Sequence, residues 1–407
     1  MVRVCMVAYT HYPTDSRVRR EAEALVERGD TVDIICLGEK GEKNPEYYNG
    51  VRMIKIEINR YRGSNPITYL VSYLQFFFIT LLKLAGLQIK NGYQVIQVHT
   101  MPDFMVFTAI FPKLRGAKIL LDVHDLMPEL YQSKFGFDAK HPIIRFISWM
   151  ERRSIGFADQ AIAVHKPHLA ALCSHGNPSE KFIILLNLPD MKIFSHSTVA
   201  QPNDSSRMQL IYHGTVAKRN GLEVAIRAIS TIKPDLPEIT LRIIGDGDDI
   251  ERLSTLVKEL ELQDVVKIDK GMVPMEQLIP IIQNADVGII PILYDDFTKF
   301  MLPVKLLEYV ALGKPVICSK TETIEAYFDN SMVQFTSPGN IAELAEAIRF
   351  LYGNPHRRIE LSTNSEKFNR EYSWEKQKQI YYQLIDGLAL GKESKLSILK
   401  VSGTENK

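Results

Sequence analysis

Short apolar runs alternate with stretches of helical periodicity from the first residue of this chain, and nothing else in the sequence restricts its fold as tightly. Strands separated by helices pair in parallel, so the pattern predicts an α/β protein built on doubly wound parallel sheets. In the first half the strand-like runs are "VRVCMVA", "TVDIICL", "VRMIKI", "QVIQVH", "KILLDVH", "QAIAV" and "FIILL". Between the first two, "DSRVRREAEALVERGD" reads as a helix with Asp15 near its start and Gly29 near its end. At residues 187–207, "NLPDMKIFSHSTVAQPNDSSR", periodicity stops and Pro, Ser, Asn and Asp accumulate, as in an interdomain linker. A second alternation runs through "MQLIYHG", "ITLRIIG", "DVGIIP" and "KPVICS". The expected domains are residues 1–190 and 204–370, facing across a cleft. A helix at 371–390 is expected to pack back toward the first domain, ahead of a flexible tail at 391–407.

With 407 residues the chain exceeds what one core usually serves, in keeping with two domains. A formal net charge of +1 leaves no basic excess to neutralise phosphates, so nucleic acid is not an expected partner. Cys5, Cys36, Cys173 and Cys318 form no CxxC pair, and three sit in apolar runs. They are expected as buried, reduced thiols of a cytoplasmic protein, not a disulfide framework or a zinc site. "MVRVCMVAY" has no charged stretch ahead of a long apolar core, so no signal peptide is expected. Residues 63–82 carry no charge, and "ITYLVSYLQFFFITLL" approaches spanning length. Thr68, Ser72 and Gln75 recur at helical spacing as a narrow polar stripe. The 67–82 segment is therefore expected to lie on a core or in a membrane surface, with Phe76, Phe77 and Phe78 as anchors beside Lys83.

In open parallel sheets, ligands bind beyond the carboxyl ends of strands. After His213, "GTVAKRNG" sets Gly214 and Thr215 in a turn, then Lys218 and Arg219, then Gly221 before an amphipathic helix. Backbone N–H groups beside positive charge suit a phosphate; solvated cations on an ordinary loop are the plain alternative. "IIGDGDD", residues 243–249, puts Gly245 and Gly247 after a strand, but Ile250 stands where a GxGxxG fingerprint needs glycine. Asp246-Gly247-Asp248 matches a metal-binding Asp-x-Asp pattern over only three residues, so a tight turn is the expectation. In "LPVKLLEYVALGKPVICS", residues 302–319, Pro303 suits the first turn of a short helix, and Gly313 and Pro315 stop it. Val304, Leu307 and Ala311 are its expected packed face. Lys305 and Glu308 share another, where a cation at a helix N-terminus favours a diphosphate and a carboxylate one turn on accepts from a ribose diol. An i,i+3 surface ion pair is the plain alternative.

In order, "HGTVAKRNGLEVAIRA", "RIIGDGDD", "ADVGIIP", "FMLPVKLLEYVALGKPVI" and "YSWEKQ" resemble glycosyltransferase family 4. "YPTDSRVRREAEALVERGDTVDIICL", "VHTMPD" and "LLDVHDLMPE" resemble that family's acceptor-side half, so the likeness spans about residues 2–390. The resemblance implies the GT-B fold, two Rossmann-like domains, and a retaining, metal-independent transfer from a nucleotide sugar, with UDP as nucleotide. It gives Glu308 the ribose, and Lys305 and Arg219, with Lys218, the pyrophosphate. Gly245 and Gly247 line the donor floor, the backbone near Val273 faces the base, and Gly214, Thr215 and Leu306 complete the donor side. His124 approaches the anomeric carbon, which makes His124, Arg219 and Lys305 the catalytic candidates. Asp15 and Arg17 belong to a loop closing on the reacting groups. His99 and Asp103, in "VHTMPD", either orient that strand end or touch the acceptor.

Three positions depart from the family pattern. Phe300 replaces a glutamate eight residues before Glu308, Asp15-Ser16 replaces a Gly-Gly pair, and Asn220 replaces a lysine whose work falls to Arg219. His141, His165, His168 and His175 show no metal-ligand spacing, and no cofactor is expected. The expected activity is glycosyl transfer to a hydroxyl of a carbohydrate or lipid-linked carbohydrate, serving cell-surface polysaccharide or glycolipid synthesis. Its expected place is the cytoplasm or the cytoplasmic face of the membrane. A nucleotide-sugar epimerase of the same fold and a non-catalytic partner subunit are the rivals. The first consumes donor alone; the second binds donor and transfers to nothing.

Overall fold

The computed structural model describes residues 1–38, 46–58, 66–189, 194, 207–271 and 273–391, and in it the apolar runs become strands. The first half supplies β1 (Arg3–Val7), β2 (Thr31–Gly38), β3 (Tyr47–Tyr48), β4 (Val51–Glu57), β5 (Val95–His99), β6 (Lys118–Val123), β7 (Gln160–Ala163) and β8 (Phe182–Ile184). They form one sheet in the order β3-β4-β2-β1-β5-β6-β7-β8, parallel except where β3 pairs β4. Helices α1 (Ser16–Glu27), α2 (Pro66–Asn91), α3 (Ile110–Leu114), α4 (Met127–Phe135), α5 (Pro142–Phe157) and α6 (Lys166–Ser174) connect them. With helices on its faces the sheet is buried: every residue of β5 is, and all of β1 but Arg3.

The second half supplies β9 (Met208–His213), β10 (Ile239–Gly245), β11 (Val266–Lys270), β12 (Val287–Ile290), β13 (Val316–Ser319) and β14 (Gln334–Thr336). Their order is β11-β10-β9-β12-β13-β14, all parallel. Helices α7 (Leu222–Ile232), α8 (Ile250–Glu259), α9 (Met275–Asn284) and α10 (Val304–Ala311) follow β9 to β12. The core gathers Leu210, Tyr212, Ile226, Ile229, Leu241 and Ile243, all at most 1% exposed. Each such aliphatic side chain contributes about 1.5–3 kcal/mol through burial.

The chain divides into unit 1, Met1–Asn187 with Glu375–Lys407, and unit 2, Leu188–Trp374. From Glu375 the helix Trp374–Ala389 belongs to unit 1, where the Tyr381 hydroxyl donates to Gln97 Oε1 at 2.6 Å and Gln377 Oε1 accepts from the Leu186 amide at 3.2 Å. Most of the expected linker, residues 190–193 and 195–206, and the tail from 392 lie outside the described residues.

α2 departs from the expected stripe. Its buried side chains recur every fourth residue as Ser72, Phe76, Thr80, Leu84 and Gln88. Thr68 and Gln75 are exposed, so only Ser72 of the expected polar stripe faces inward. Phe76 is fully buried with its ring 5.2 Å from that of Tyr9, and Phe77 sits 5.7 Å from Phe104; neither is an anchor. Outside stand Leu70, Val71, Leu74, Phe78 and Leu82, the last 75% exposed. The helix is close to inverted: three of five inward residues are polar, and large apolar side chains dominate the outward face.

Candidate functional site

β9 has β10 on one side and β12 on the other, so the chain winds away from it in both directions and opens a crevice at its carboxyl end. A cavity of about 340 Å³ fills that crevice. Gly214, at φ +102°, turns the chain after β9, and Gly245 ends β10. The two turns are laced together: the Gly214 amide donates to the Ile244 carbonyl at 2.8 Å, and that of Val216 to Asp246 at 2.9 Å. A Cβ on Gly245 meets the Gly214 carbonyl oxygen at 1.8 Å, and one on Gly247 meets that of Val216 at 2.0 Å. Only glycine allows this approach. Gly245 lines the cavity; Gly247 packs the loops together and does not.

α10 enters this crevice with Pro303 as N-cap, and Gly313 at φ +66° beyond its end. Leu306, Leu307, Tyr309, Val310 and Ala311 are buried, which leaves Val304, Lys305 and Glu308 along the cavity. Val304 thus faces the cavity instead of the expected packed side. Leu306 is fully buried and its amide donates to the Pro303 carbonyl at 3.0 Å, so it offers a ligand nothing.

Lys305 and Glu308 do not pair. Lys305 Nζ donates to the Tyr212 hydroxyl and lies 4.0 Å from the centroid of that ring, while the hydroxyl donates to the Thr215 carbonyl at 2.6 Å. Glu308 Oε2 meets His213 Nε2 at 2.6 Å, and His213 Nδ1 meets the Tyr309 hydroxyl at 2.9 Å. Glu308 Oε1 has no partner among the described residues. Burial, with the Arg219 guanidinium adding, pushes the Lys305 ammonium down to about 7 despite the opposing charge of Glu308. Arg219 sits 6.0 Å from the Phe297 ring centroid, and its Nε is buried without a partner among the described residues. Lys218 is exposed. Arg219 and Lys218 stand outside the cavity lining, but the Arg219 charge disfavours the Lys305 ammonium until an anion arrives. Much of the remaining wall is apolar, including Val273, Met275, Leu278, Ile290 and Ile292, with Thr215 and Asn220 beside it. Tyr212, His213 and Tyr309 escape sequence reasoning because the strand and helix periods alone leave them among core residues.

Unit 1 holds a polar cluster at the carboxyl ends of β5 and β6. Parallel register sets His99 beside Asp122, and the period of two puts His124 on the same face as Asp122. Asp122 Oδ2 meets His99 Nδ1 at 2.9 Å and His124 Nε2 at 2.8 Å; Oδ1 accepts from Arg17 at 2.5 Å. Asp15 starts α1 by accepting the Val18 amide at 3.2 Å, and this aims Arg17. Burial alone raises the Asp122 carboxyl, but Arg17 and the His124 imidazole outweigh it and hold it well below the usual range. Burial also lifts Glu21 to about 7, with the charge of Asp122 adding. Burial lowers His124, and Arg17 lowers it further. A neutral His124 that donates Nε2–H to Asp122 keeps its Nδ1 lone pair, which has no partner among the described residues.

His99 is 2% exposed, its Nδ1 engaged by Asp122, so it orients the cluster. Asp103 is buried; burial, then Glu151 and Asp125, hold its carboxyl well above the usual range. At 5% exposure it is closed off from an acceptor. His141 and His165 cap α5 and α6, and His175 bridges Glu129 and Glu151 at 2.9 Å each. Among the described residues, one trio that could hold a metal ion comes together: His99, Asp122 and His124, with ligand atoms within 4.8 Å of one another. An ion there displaces both imidazole hydrogen bonds and adds positive charge beside Arg17, so the trio reads as a hydrogen-bonded charge network. Asp122 was the missed residue with a signal: a carboxylate inside the apolar run "KILLDVH" needs a buried partner.

Residues 15–190 match the family model described as Glycosyltransferase Family 4, and residues 197–368 the one described as Glycosyl transferases group 1. The chain is 29% identical over 177 residues to the putative colanic acid biosynthesis glycosyltransferase WcaL of Salmonella typhimurium, covering 43% of each chain. It is 27% identical over 180 residues to the amylovoran biosynthesis glycosyltransferase AmsK of Erwinia amylovora, 44% of this chain and 43% of that one. Matches to these relatives thus span about two fifths of their length. In fold, the chain is similar to sucrose-phosphate synthase from Thermosynechococcus elongatus, TM-score 0.78 and 19% identity over 96% of this chain and 100% of that one. Anabaena HepE in complex with UDP gives a TM-score of 0.70 at 14% identity over 95% and 100%. The fold is GT-B, two parallel-sheet α/β domains.

Proposed function

The chain belongs to glycosyltransferase family 4, and on that premise we propose that it is a retaining enzyme carrying a sugar from a UDP-linked donor to a hydroxyl of a carbohydrate or lipid-linked carbohydrate. The observation that supports this is the placing of Lys305 and Glu308 along one strand-end cavity in unit 2, held apart by separate partners, with the Arg219 charge close enough to act on Lys305. Breaking the anomeric C–O bond leaves negative charge on the departing diphosphate, and prepositioned cations stabilise it. Glu308, with Oε2 fixed by His213, offers Oε1 to the ribose hydroxyls, and the apolar wall near Val273 suits a base. The names of WcaL and AmsK support polysaccharide synthesis as the setting, and HepE supports UDP as the nucleotide. Glu308→Gln should weaken UDP binding by about 1.5–3 kcal/mol, the worth of charge-assisted hydrogen bonds. Unchanged affinity in calorimetry takes the ribose away from Glu308.

Lys305 adds a pH signature. Near neutrality it is only partly protonated, so a diphosphate that needs it charged draws in a proton. Titrating UDP at about pH 8 in buffers of different ionisation enthalpy should report close to one proton taken up, and affinity should fall as pH rises through about 7. A buffer-independent enthalpy excludes Lys305 from the diphosphate site. We read the chemistry as metal-independent: turnover should persist in excess chelator, and full loss restored by Mg²⁺ would falsify that reading.

The proposal places the enzyme in the cytoplasm, touching the membrane surface through α2. The support is physical: a helix that buries Ser72, Thr80 and Gln88 while exposing Leu70, Leu74, Phe78 and Leu82 suits an apolar exterior better than water.

A further inference from the structure

Unit 1 also carries a surface hollow of about 600 Å³, lined in part by Pro142, Arg145, Phe146, Trp149 and Arg152. It lies on α5, whose sequence "PIIRFISWMERRSIGF" turns Ile144, Glu151, Ser154 and Ile155 inward. Outward come Arg145, Arg152 and Arg153, together with Phe146 at 58% and Trp149 at 44% exposure. The rings of Phe146 and Trp149 stack 5.8 Å apart, and the Arg153 guanidinium lies 5.7 Å from the Trp149 ring. The helix has one acid, Glu151, which is buried against His175 and Asn177. None of the three arginines is in an ion pair among the described residues.

α5 and α2 share a neighbour. The segment Asp103–Ala109 packs between the two helices, Phe104 against Phe77 of α2 and Phe107 against Phe157 of α5. Ile110 and Leu114 of α3 are exposed beside it. α2 and α3 contain no acidic residue and Glu151 of α5 is buried, so the outward surface of the three helices carries no negative charge. Arg152 donates to the His175 carbonyl at 3.3 Å but has no carboxylate. Exposed aromatic rings flanked by guanidinium groups without a counter-ion match the phosphate headgroups and acyl boundary of an anionic bilayer.

We propose that the α5 hollow is a binding site for the phosphate headgroups of anionic phospholipid, and that it sets a preference for negatively charged membrane. The inference rests on the reading of α2 as membrane-facing, and the test separates the two. Flotation compares the full chain on vesicles of phosphatidylcholine alone and of phosphatidylcholine with phosphatidylglycerol. The wild type should prefer the anionic vesicles, and the preference should fade in high salt. The Arg145→Gln, Arg152→Gln, Arg153→Gln variant changes only exposed side chains. It should lose roughly two orders of magnitude of binding to anionic vesicles while binding neutral ones as the wild type does. Phe78→Asp, Leu82→Asp should weaken binding to both kinds. An arginine variant that keeps the anionic preference overturns the site, as does a wild type with no preference. If the Phe78, Leu82 variant binds normally while the arginine variant fails, the α2 reading falls and the headgroup site stands.

Discussion

His124→Ala should cut kcat about 10²–10⁴-fold, the range of a positioned catalytic group, while UDP affinity stays near wild type. The donor groups named above all belong to unit 2, whereas His124 follows β6 in unit 1 and is not among them. Stability should change little. Asp122 keeps Arg17 and His99 when His124 Nε2 is lost, and His124's own amide bond to Thr100 Oγ1 at 2.9 Å is a backbone contact that alanine retains. The expected cost is about 1 kcal/mol, that of one hydrogen bond. The tautomer supplies the chemistry: with Nε2–H directed at Asp122, the unpartnered Nδ1 lone pair is the atom left for a substrate hydroxyl or for positive charge developing on a sugar ring. Steady-state kinetics on a matched acceptor, read beside a melting curve, settles the role. Normal turnover, or activity lost only through unfolding, removes His124 from the mechanism.

The alternation of short apolar runs with helices was enough to read two parallel α/β domains, because parallel strands buried on both faces must be continuous in Val, Ile and Leu. The opening stretch of α10 was legible for a similar reason: proline and glycine punctuate it, and its two charged residues lie outside the packed set. What could not be read depends on register and on neighbours distant in sequence. His99 stands beside Asp122 only because β5 and β6 pair as they do, 23 residues apart. His124 likewise finds its partner through the strand period, which sets it on the same face as Asp122 two residues earlier. α2 misled for another reason. Periodicity reports that one face differs from the other, and the usual assumption that the apolar face points inward fails here.

Asp122→Asn should destabilise unit 1 by about 3–5 kcal/mol, because removing one partner of a buried ion pair strands the other charge. For a unit of this size the melting temperature should fall by roughly 10 °C. Arg17 is the stranded charge, 6% exposed, and asparagine still hydrogen-bonds it without neutralising it. The loss should depend on pH through Glu21, whose carboxyl oxygen lies 3.9 Å from Arg17 Nε. In the wild type, burial and Asp122 lift Glu21 to about 7. A carboxyl raised in the folded state favours folding while protonated and loses that contribution as pH climbs from its unfolded value through about 7. Without Asp122 the like charge is gone, Glu21 ionises more readily, and above neutrality it can serve as counter-ion to Arg17. The gap between wild type and variant should therefore be widest near pH 5 and shrink toward pH 8. Arg17→Met with Asp122→Leu, which removes both charges together, should melt above Asp122→Asn at the lower pH. Equal melting of wild type and Asp122→Asn across that range means the pair carries no stability, and the cluster then serves catalysis alone.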